Sequence, residues 1–266
     1  SGSKDFSLRV VDLATGALKF QTMDHKDAIT AVEFDASGKF AMTSSADGTI
    51  RLYDVATPTN NQKPRFYTYG KPVNDLITAP NGKTFYIANN SNNDVESIDF
   101  TGKVYQRFAG VHIMPVNCLA ISNNKRLLVT GGNDKVVVIW DIATGKPLKT
   151  LVGHGWKVNS VSFSRNDQYL VSTGNDGEVR VWDANTGICV SVQKNLITAA
   201  REAVFTPNMK RMIVAGKMVA QGSTYGALVY STPPIWHMAK PKPVKPEPIK
   251  SATPGAKPTP KPAPKR

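Results

Sequence analysis

Cysteine is scarce in this sequence, with only Cys118 and Cys189 among 266 residues. Two thiols are too few for a disulfide framework or a four-ligand zinc site. Free cysteine is usually buried, so we expect both to be small buried thiols. The four histidines form no separate ligand cluster. We therefore predict neither a metal nor a cofactor.

Signals of nucleotide chemistry and of helical structure are missing as well. The sequence has no G-x-x-x-x-G-K-[ST] loop and no dinucleotide fingerprint between a strand and a helix. It has no stretch with helical periodicity and no transmembrane segment. Acidic residues number 20 against 33 lysines and arginines, which gives a formal net charge of +13.

What the sequence does contain is an internal repeat. "STGNDGEVRVWD" at 172–183 matches "TGGNDKVVVIWD" at 130–141 and "TSSADGTIRLYD" at 43–54. A truncated copy and two weaker ones stand at 1–12, 88–100 and 215–230. A period between 20 and 50 residues indicates tandem supersecondary units.

Each period also contains further short strands. The segments 29–40, 116–127 and 158–169 alternate apolar and polar residues, which is typical of half-buried strands. A glycine turn and another apolar stretch follow, as in "ATGKPLKTLVGH" at 143–154. Four short antiparallel strands in each period predict an all-β fold of propeller blades.

These motifs resemble those of the WD-repeat β-propeller family over residues 1–239. The "GH" of the family stands at Gly153-His154, and its "WD" at Trp182-Asp183 and Trp140-Asp141. The first full repeat has Tyr53-Asp54 instead. The resemblance implies blades at approximately 1–16 (partial), 17–58, 59–102, 103–145, 146–187 and 188–239.

The resemblance also implies buried hydrogen-bonded tetrads of histidine, hydroxyl, aspartate and tryptophan. Matching places one at His154, Ser172, Asp176 and Trp182, and another at His112, Thr130, Asp134 and Trp140. A third at His25, Thr43, Asp47 and Tyr53 requires a phenol in place of the indole donor. Buried polar groups are tolerated when every donor finds an acceptor, so we interpret the tetrads as structural.

Aspartate, histidine and serine are also the side chains of a hydrolase triad. A nucleophile has to be exposed and singular, whereas this set occurs three times and its hydroxyl alternates between serine and threonine. No nucleophile elbow precedes it. We therefore predict that these residues carry no catalysis.

For function, the resemblance implies a rigid platform that binds proteins or peptides on a face of the propeller. The positions that open onto this face in the family carry polar, proline and tryptophan side chains here, namely Trp156, Lys157, Asn159, Asn175, Pro115, Asn117 and Asn133. Trp156 in "GHGWKV" is either an exposed anchor for a partner or packed against the adjacent blade.

Two features extend beyond regular blades. The chain opens inside a repeat, so we expect an incomplete first blade and a fragment of a larger ring. Residues 240–266 are rich in lysine and proline, which predicts a disordered, extended tail. The tail is a solubilising spacer, a ligand for a proline-binding module, or a basic arm for nucleic acid or an anionic surface.

An alternative interpretation is a propeller module of a larger protein, such as a bacterial envelope or enzyme-linked protein, whose tail contacts polyanions or spans to a partner. Residues 85–102 resemble propeller repeats of the YVTN kind, found in bacterial surface and redox proteins. Unpaired cysteines fit the cytoplasm, but the compartment and the partner are left open.

Overall fold

The computed structural model describes residues 1–35, 37–57, 63–89, 91, 93–194, 197–218 and 225–231. Every regular element in this part of the chain is a β-strand, and no helix long and apolar enough to cross a membrane is found there. The predicted all-β fold is confirmed. The predicted tail at 240–266 lies outside the described residues.

The described residues contain twenty-one strands, which form six antiparallel sheets. The first sheet contains β1 (Leu8–Val11) and β2 (Leu18–Thr22). Five larger sheets follow, which we number as blades I to V. Their strands are β3 (Ile29–Phe34), β4 (Phe40–Ser45), β5 (Thr49–Asp54) and β6 (Arg65–Thr68) in blade I; β7 (Val73–Thr78), β8 (Phe85–Asn89), β9 (Val95–Ile98) and β10 (Val104–Phe108) in blade II; β11 (Val116–Ile121), β12 (Leu127–Gly132), β13 (Val136–Asp141) and β14 (Pro147–Val152) in blade III; β15 (Val158–Phe163), β16 (Tyr169–Gly174), β17 (Val179–Asp183) and β18 (Cys189–Gln193) in blade IV; and β19 (Ile197–Phe205), β20 (Arg211–Met218) and β21 (Tyr225–Ser231) in blade V.

The first strands of the five blades surround one channel. Residues of β3, β7, β11, β15 and β19 line a common cavity of about 460 Å³. Apolar clusters fill the spaces between neighbouring blades, such as the one that joins Val129 and Ile139 of blade III to Leu170 and Trp182 of blade IV. The predicted propeller of four-stranded blades is confirmed.

The repeats in the sequence and the sheets in the structure are out of phase. Strand β2 lies within the repeat predicted for 17–58 but belongs to the first sheet, whereas β3 to β5 of the same repeat belong to blade I. Each repeat therefore ends one sheet and begins the next. This connection links neighbouring blades covalently as well as by packing.

Aspartates at the ends of the third strands fix the turns that follow. The carboxylate of Asp141 accepts a hydrogen bond from the Thr144 backbone N–H over 2.7 Å. Gly145 then adopts a φ of 69°, in the left-handed region that glycine enters without steric cost. Asp183 and Gly187 repeat the arrangement in blade IV, which explains the sequence "D-x-x-T-G".

Hydrogen bonds from a bulge in each first strand join neighbouring blades. The register shifts at the second residue of β3, β7, β11 and β15, which leaves that residue without a paired residue in the neighbouring strand. Each of these side chains donates to the first or an early carbonyl of the next blade's first strand, at distances of 2.7 to 2.9 Å. The donors are Thr30, Asn74, Asn117 and Asn159, and the acceptors are Val73, Val116, Val158 and Ala200.

Candidate functional site

The histidine of each tetrad lies in the loop that enters a blade, immediately before its first strand. In blade IV, His154 Nε2 lies 2.8 Å from Ser172 Oγ, and His154 Nδ1 lies 2.9 Å from Asp176 Oδ2. The indole Nε1 of Trp182 donates to the same Ser172 Oγ over 2.8 Å. The structure therefore brings all four side chains together.

Blade III has the same arrangement. His112 Nε2 lies 2.7 Å from Thr130 Oγ1, and His112 Nδ1 lies 2.9 Å from Asp134 Oδ2. Trp140 Nε1 donates to Thr130 Oγ1 over 3.0 Å. Threonine thus replaces serine without a change in the network, because only the hydroxyl takes part.

Blade I differs at its fourth member. His25 contacts Thr43 and Asp47 at 2.7 and 3.0 Å, as in the other two blades. The Tyr53 hydroxyl, however, is buried and has no hydrogen-bond partner among the described residues. The expectation that this phenol replaces the indole donor is wrong. A phenol carries its oxygen at the far end of the ring, whereas the indole N–H lies at the side nearer the backbone.

The aspartates also hold the entry loops in place. Asp176 accepts the backbone N–H groups of Gly155 and Glu178, and Asp47 accepts those of Lys26 and Thr49. Burial alone would raise the pKa of Asp47, but the effect of these hydrogen bonds is larger than that of burial. The net result is a pKa of about 2. Each carboxylate is therefore ionised and joins the entry loop to the turn between the second and third strands.

Burial lowers the pKa of His25 and His154 although an aspartate lies beside each ring. The neutral ring is favoured, with Nδ1–H donating to the aspartate and Nε2 accepting from the hydroxyl. This is the hydrogen-bond order of a hydrolase triad. Ser172, however, is fully buried, and its oxygen already accepts the indole N–H of Trp182.

One group of side chains has the composition of a metal site. Ligand atoms of His154, Asp176 and Glu178 lie within 4.8 Å of one another. Side chains of the same chain already bond all three. His154 bonds Ser172 and Asp176, and Glu178 forms ion pairs with Arg180 and Lys194. The arrangement fits a hydrogen-bonded network better than a cation site.

The side chains predicted to bind a partner fall into two groups. Trp156 has 61% of its surface exposed and lies directly after the tetrad-held Gly155. The side-chain amides of Asn117 and Asn159 instead donate to the side-chain oxygens of Asn133 and Asn175, over 2.9 and 3.1 Å. The same two amides also donate to carbonyls of the next blade. The carbonyls of Pro115 and Lys157 accept backbone N–H groups from Asn133 and Asn175.

Sequence reasoning missed two exposed apolar residues on this face. Ile113 and Met114 are 80% and 46% exposed and follow His112 as Gly155 and Trp156 follow His154. The backbone N–H of Ile113 donates to Asp134, so this loop is held like the one in blade IV. Alignment of the residues after each tetrad histidine was the signal that could have found them.

Comparison with known proteins agrees with this geometry. The family model for "WD domain, G-beta repeat" matches residues 18–54, 103–141 and 145–183. The chain is a WD-repeat β-propeller protein. The three matches contain the three sets of tetrad residues described above.

Curated relatives of this WD-repeat protein match about half of it. It is 24% identical to "WD repeat domain-containing protein 83 homolog" of Dictyostelium discoideum, over 46% of this chain and 36% of the relative. It is 26% identical to "Target of rapamycin complex subunit wat1" of Schizosaccharomyces pombe, over 50% and 42%. It is 27% identical to human "Protein NEDD1", over 57% and 23%. The matches thus span less than half the length of these relatives.

Proposed function

We propose that this protein is a non-catalytic interaction platform that binds a partner protein or peptide on the face formed by its entry loops. The observation that carries the proposal is Trp156, a largely exposed tryptophan on a loop that Asp176 fixes through Gly155. Tryptophan is enriched among residues that dominate binding energy. A fixed anchor also loses little conformational entropy when a partner binds.

Residues of the neighbouring blade extend this anchor. Ile113 and Met114 occupy the corresponding loop of blade III, and the Asn117 amide bonds the Val158 carbonyl at the start of the next blade. Lys135 and Lys157 contribute positive charge beside these apolar groups, and neither forms an ion pair with another described residue. A partner segment with apolar side chains and nearby acidic residues fits this surface.

The tetrads support a structural role for the histidine, aspartate and hydroxyl groups. Ser172 and Thr130 are fully buried, and each oxygen accepts an indole N–H. A nucleophile has to reach substrate, which these hydroxyls do not. The name of the fission yeast relative describes a subunit of a complex, a role of the kind proposed here.

Selection of binding peptides tests the proposal. A random peptide library is panned against the protein, and the affinities of the selected peptides are measured for variants by fluorescence anisotropy. We expect Trp156→Ala to weaken binding about 30-fold or more, as for a central aromatic anchor. Lys157→Glu should weaken the binding of acidic peptides in particular.

Leu148→Ala provides the matched control. Leu148 is 53% exposed and lies near the start of β14, whereas the entry loop with Trp156 follows the end of this strand. Its truncation therefore removes an exposed apolar group away from the entry loops. Its affinity for the peptides should stay unchanged. If the selected peptides bind Trp156→Ala as tightly as the unmodified protein, the partner does not use this face.

A further inference from the structure

One pair of residues in blade II departs from a pattern seen in three other blades. In those blades, the rung next to the tetrad hydroxyl pairs an apolar residue of the second strand with one of the third strand, and the pair faces the following blade. These pairs are Met42–Leu52, Val129–Ile139 and Val171–Val181. Blade II has Tyr86 opposite Ser97 at this rung.

This substitution opens a polar groove between blades II and III. Tyr86 and Ser97 are 3% and 4% exposed, so both lie deep in the interface. They line a groove of about 460 Å³ together with residues of the turn after β13, including Ile142. Its volume falls in the range of small-molecule sites.

The hydroxyl groups in the groove are not all satisfied by the protein. Ser97 Oγ donates to Thr84 Oγ1 over 3.2 Å, and Asn81 Nδ2 donates to the same oxygen over 3.0 Å. The Tyr86 hydroxyl has no hydrogen-bond partner among the described residues, although its ring packs edge-on against Phe108. A phenol hydroxyl can both donate and accept a hydrogen bond, so this hydroxyl of a groove-lining residue is available to a ligand.

The chemistry of the lining defines the ligand class. Every polar side chain that lines the groove carries a hydroxyl or an amide group, and none of the lining side chains carries a charge. Tyr105 and Gln106 lie at the rim. Two charged residues contact Tyr105. Asp99 accepts a hydrogen bond from the Tyr105 hydroxyl, and the ammonium group of Lys103 lies 4.9 Å from the centre of the Tyr105 ring. Their charges are of opposite sign. A charged ligand would lose its hydration here without gaining a counter-charge.

We propose that this groove binds a neutral saccharide. A sugar ring offers several hydroxyl groups to Tyr86, Ser97 and the rim amide of Gln106, while its C–H face can lie on the more than half-exposed ring of Tyr105. This site lies between blades II and III and is separate from the entry loop that carries Trp156. The two proposals can therefore fail independently.

Nuclear magnetic resonance titration tests the proposal with maltose, cellobiose and N-acetylglucosamine as probes. At least one probe should shift the backbone amide signals of residues 80–86, 97, 105–106 and 142–143 and reach saturation. Tyr86→Phe should weaken that binding about five-fold, because it removes one hydrogen bond and little else. Tyr86→Phe combined with Ser97→Val restores an apolar pair and should abolish binding.

Tyr53→Phe is the matched control, because it removes a tyrosine hydroxyl that also has no partner among the described residues but lies in blade I. It should bind the sugar normally. Three results would overturn the proposal: no saturable shift at the groove with any of the three probes, unchanged binding by the double variant, or equally tight binding of glucuronate.

Discussion

Replacement of a tetrad threonine by valine measures what the indole contributes to a blade. Thr130→Val in blade III and Thr43→Val in blade I remove a hydroxyl and keep the side-chain shape. Both threonines are fully buried on the second strand of their blade. The two variants differ because, among the described residues, the Thr130 hydroxyl has two partners, His112 and Trp140, whereas that of Thr43 has only His25.

The structure predicts the size of each effect. Each buried polar group left without a partner costs on the order of 1–3 kcal/mol. Thr43→Val leaves the His25 ring nitrogen unpaired, and its cost is therefore about 1–3 kcal/mol. Thr130→Val leaves both the His112 nitrogen and the Trp140 N–H unpaired, which doubles the cost to about 2–6 kcal/mol. The apolar gain from valine is common to both and cancels in the comparison.

Urea unfolding followed by far-ultraviolet circular dichroism measures the two losses. We expect the midpoint of Thr130→Val to lie clearly below that of Thr43→Val, and both to lie below that of the unmodified protein. If the two variants lose the same free energy, the indole hydrogen bond contributes nothing measurable. The account of the tetrad as a four-member network would then be refuted.

Three further predictions follow from the same contacts. Tyr53→Phe should leave the urea midpoint unchanged or raise it slightly, because the phenol oxygen is buried without a partner; a loss above about 1 kcal/mol would contradict this. Burial among channel residues raises the pKa of Asp75 from 3.8 to about 7, so its protonated form is favoured in the fold, and its contribution to stability falls as pH rises between these values. The free energy of unfolding of the unmodified protein should therefore fall as pH rises toward 7, and Asp75→Asn, which cannot ionise, should show a smaller fall. If the two proteins show the same dependence of unfolding free energy on pH, Asp75 does not have a raised pKa in the fold. Asn159→Ala should speed hydrogen exchange in β19, because it removes the 2.7 Å bond to the Ala200 carbonyl, whereas exchange in β3 should not change.

Much of the fold could be predicted because its determinants are local in sequence. The tetrad histidine precedes its hydroxyl and aspartate partners by 18 and 22 residues in each of three blades. Alternating strands and the turn sequence "D-x-x-T-G" lie within the same period. Their spacing therefore predicted the blade and the side chains that meet inside it.

The candidate interface was harder to predict. The asparagines at 117, 133, 159 and 175 were predicted to face a partner, but their amides pair with one another and with the next blade. Ile113 and Met114 are exposed on the entry loop between β10 and β11, although both residues are apolar and their repeat gives no sign of a partner for them. The asparagine contacts that cross to the next blade depend on how neighbouring blades pack, which the local pattern of one repeat does not contain.

The sequence by itself determined the strands, their turns and the tetrads of blades III and IV, because each involves residues within one repeat. Only the tertiary structure decided that the Tyr53 hydroxyl has no partner, that Asn159 reaches blade V and that Tyr86 and Ser97 face a groove. These outcomes depend on the orientation of one blade against its neighbour. Residues about 40 positions apart in the chain set that orientation through packing and hydrogen bonds between sheets.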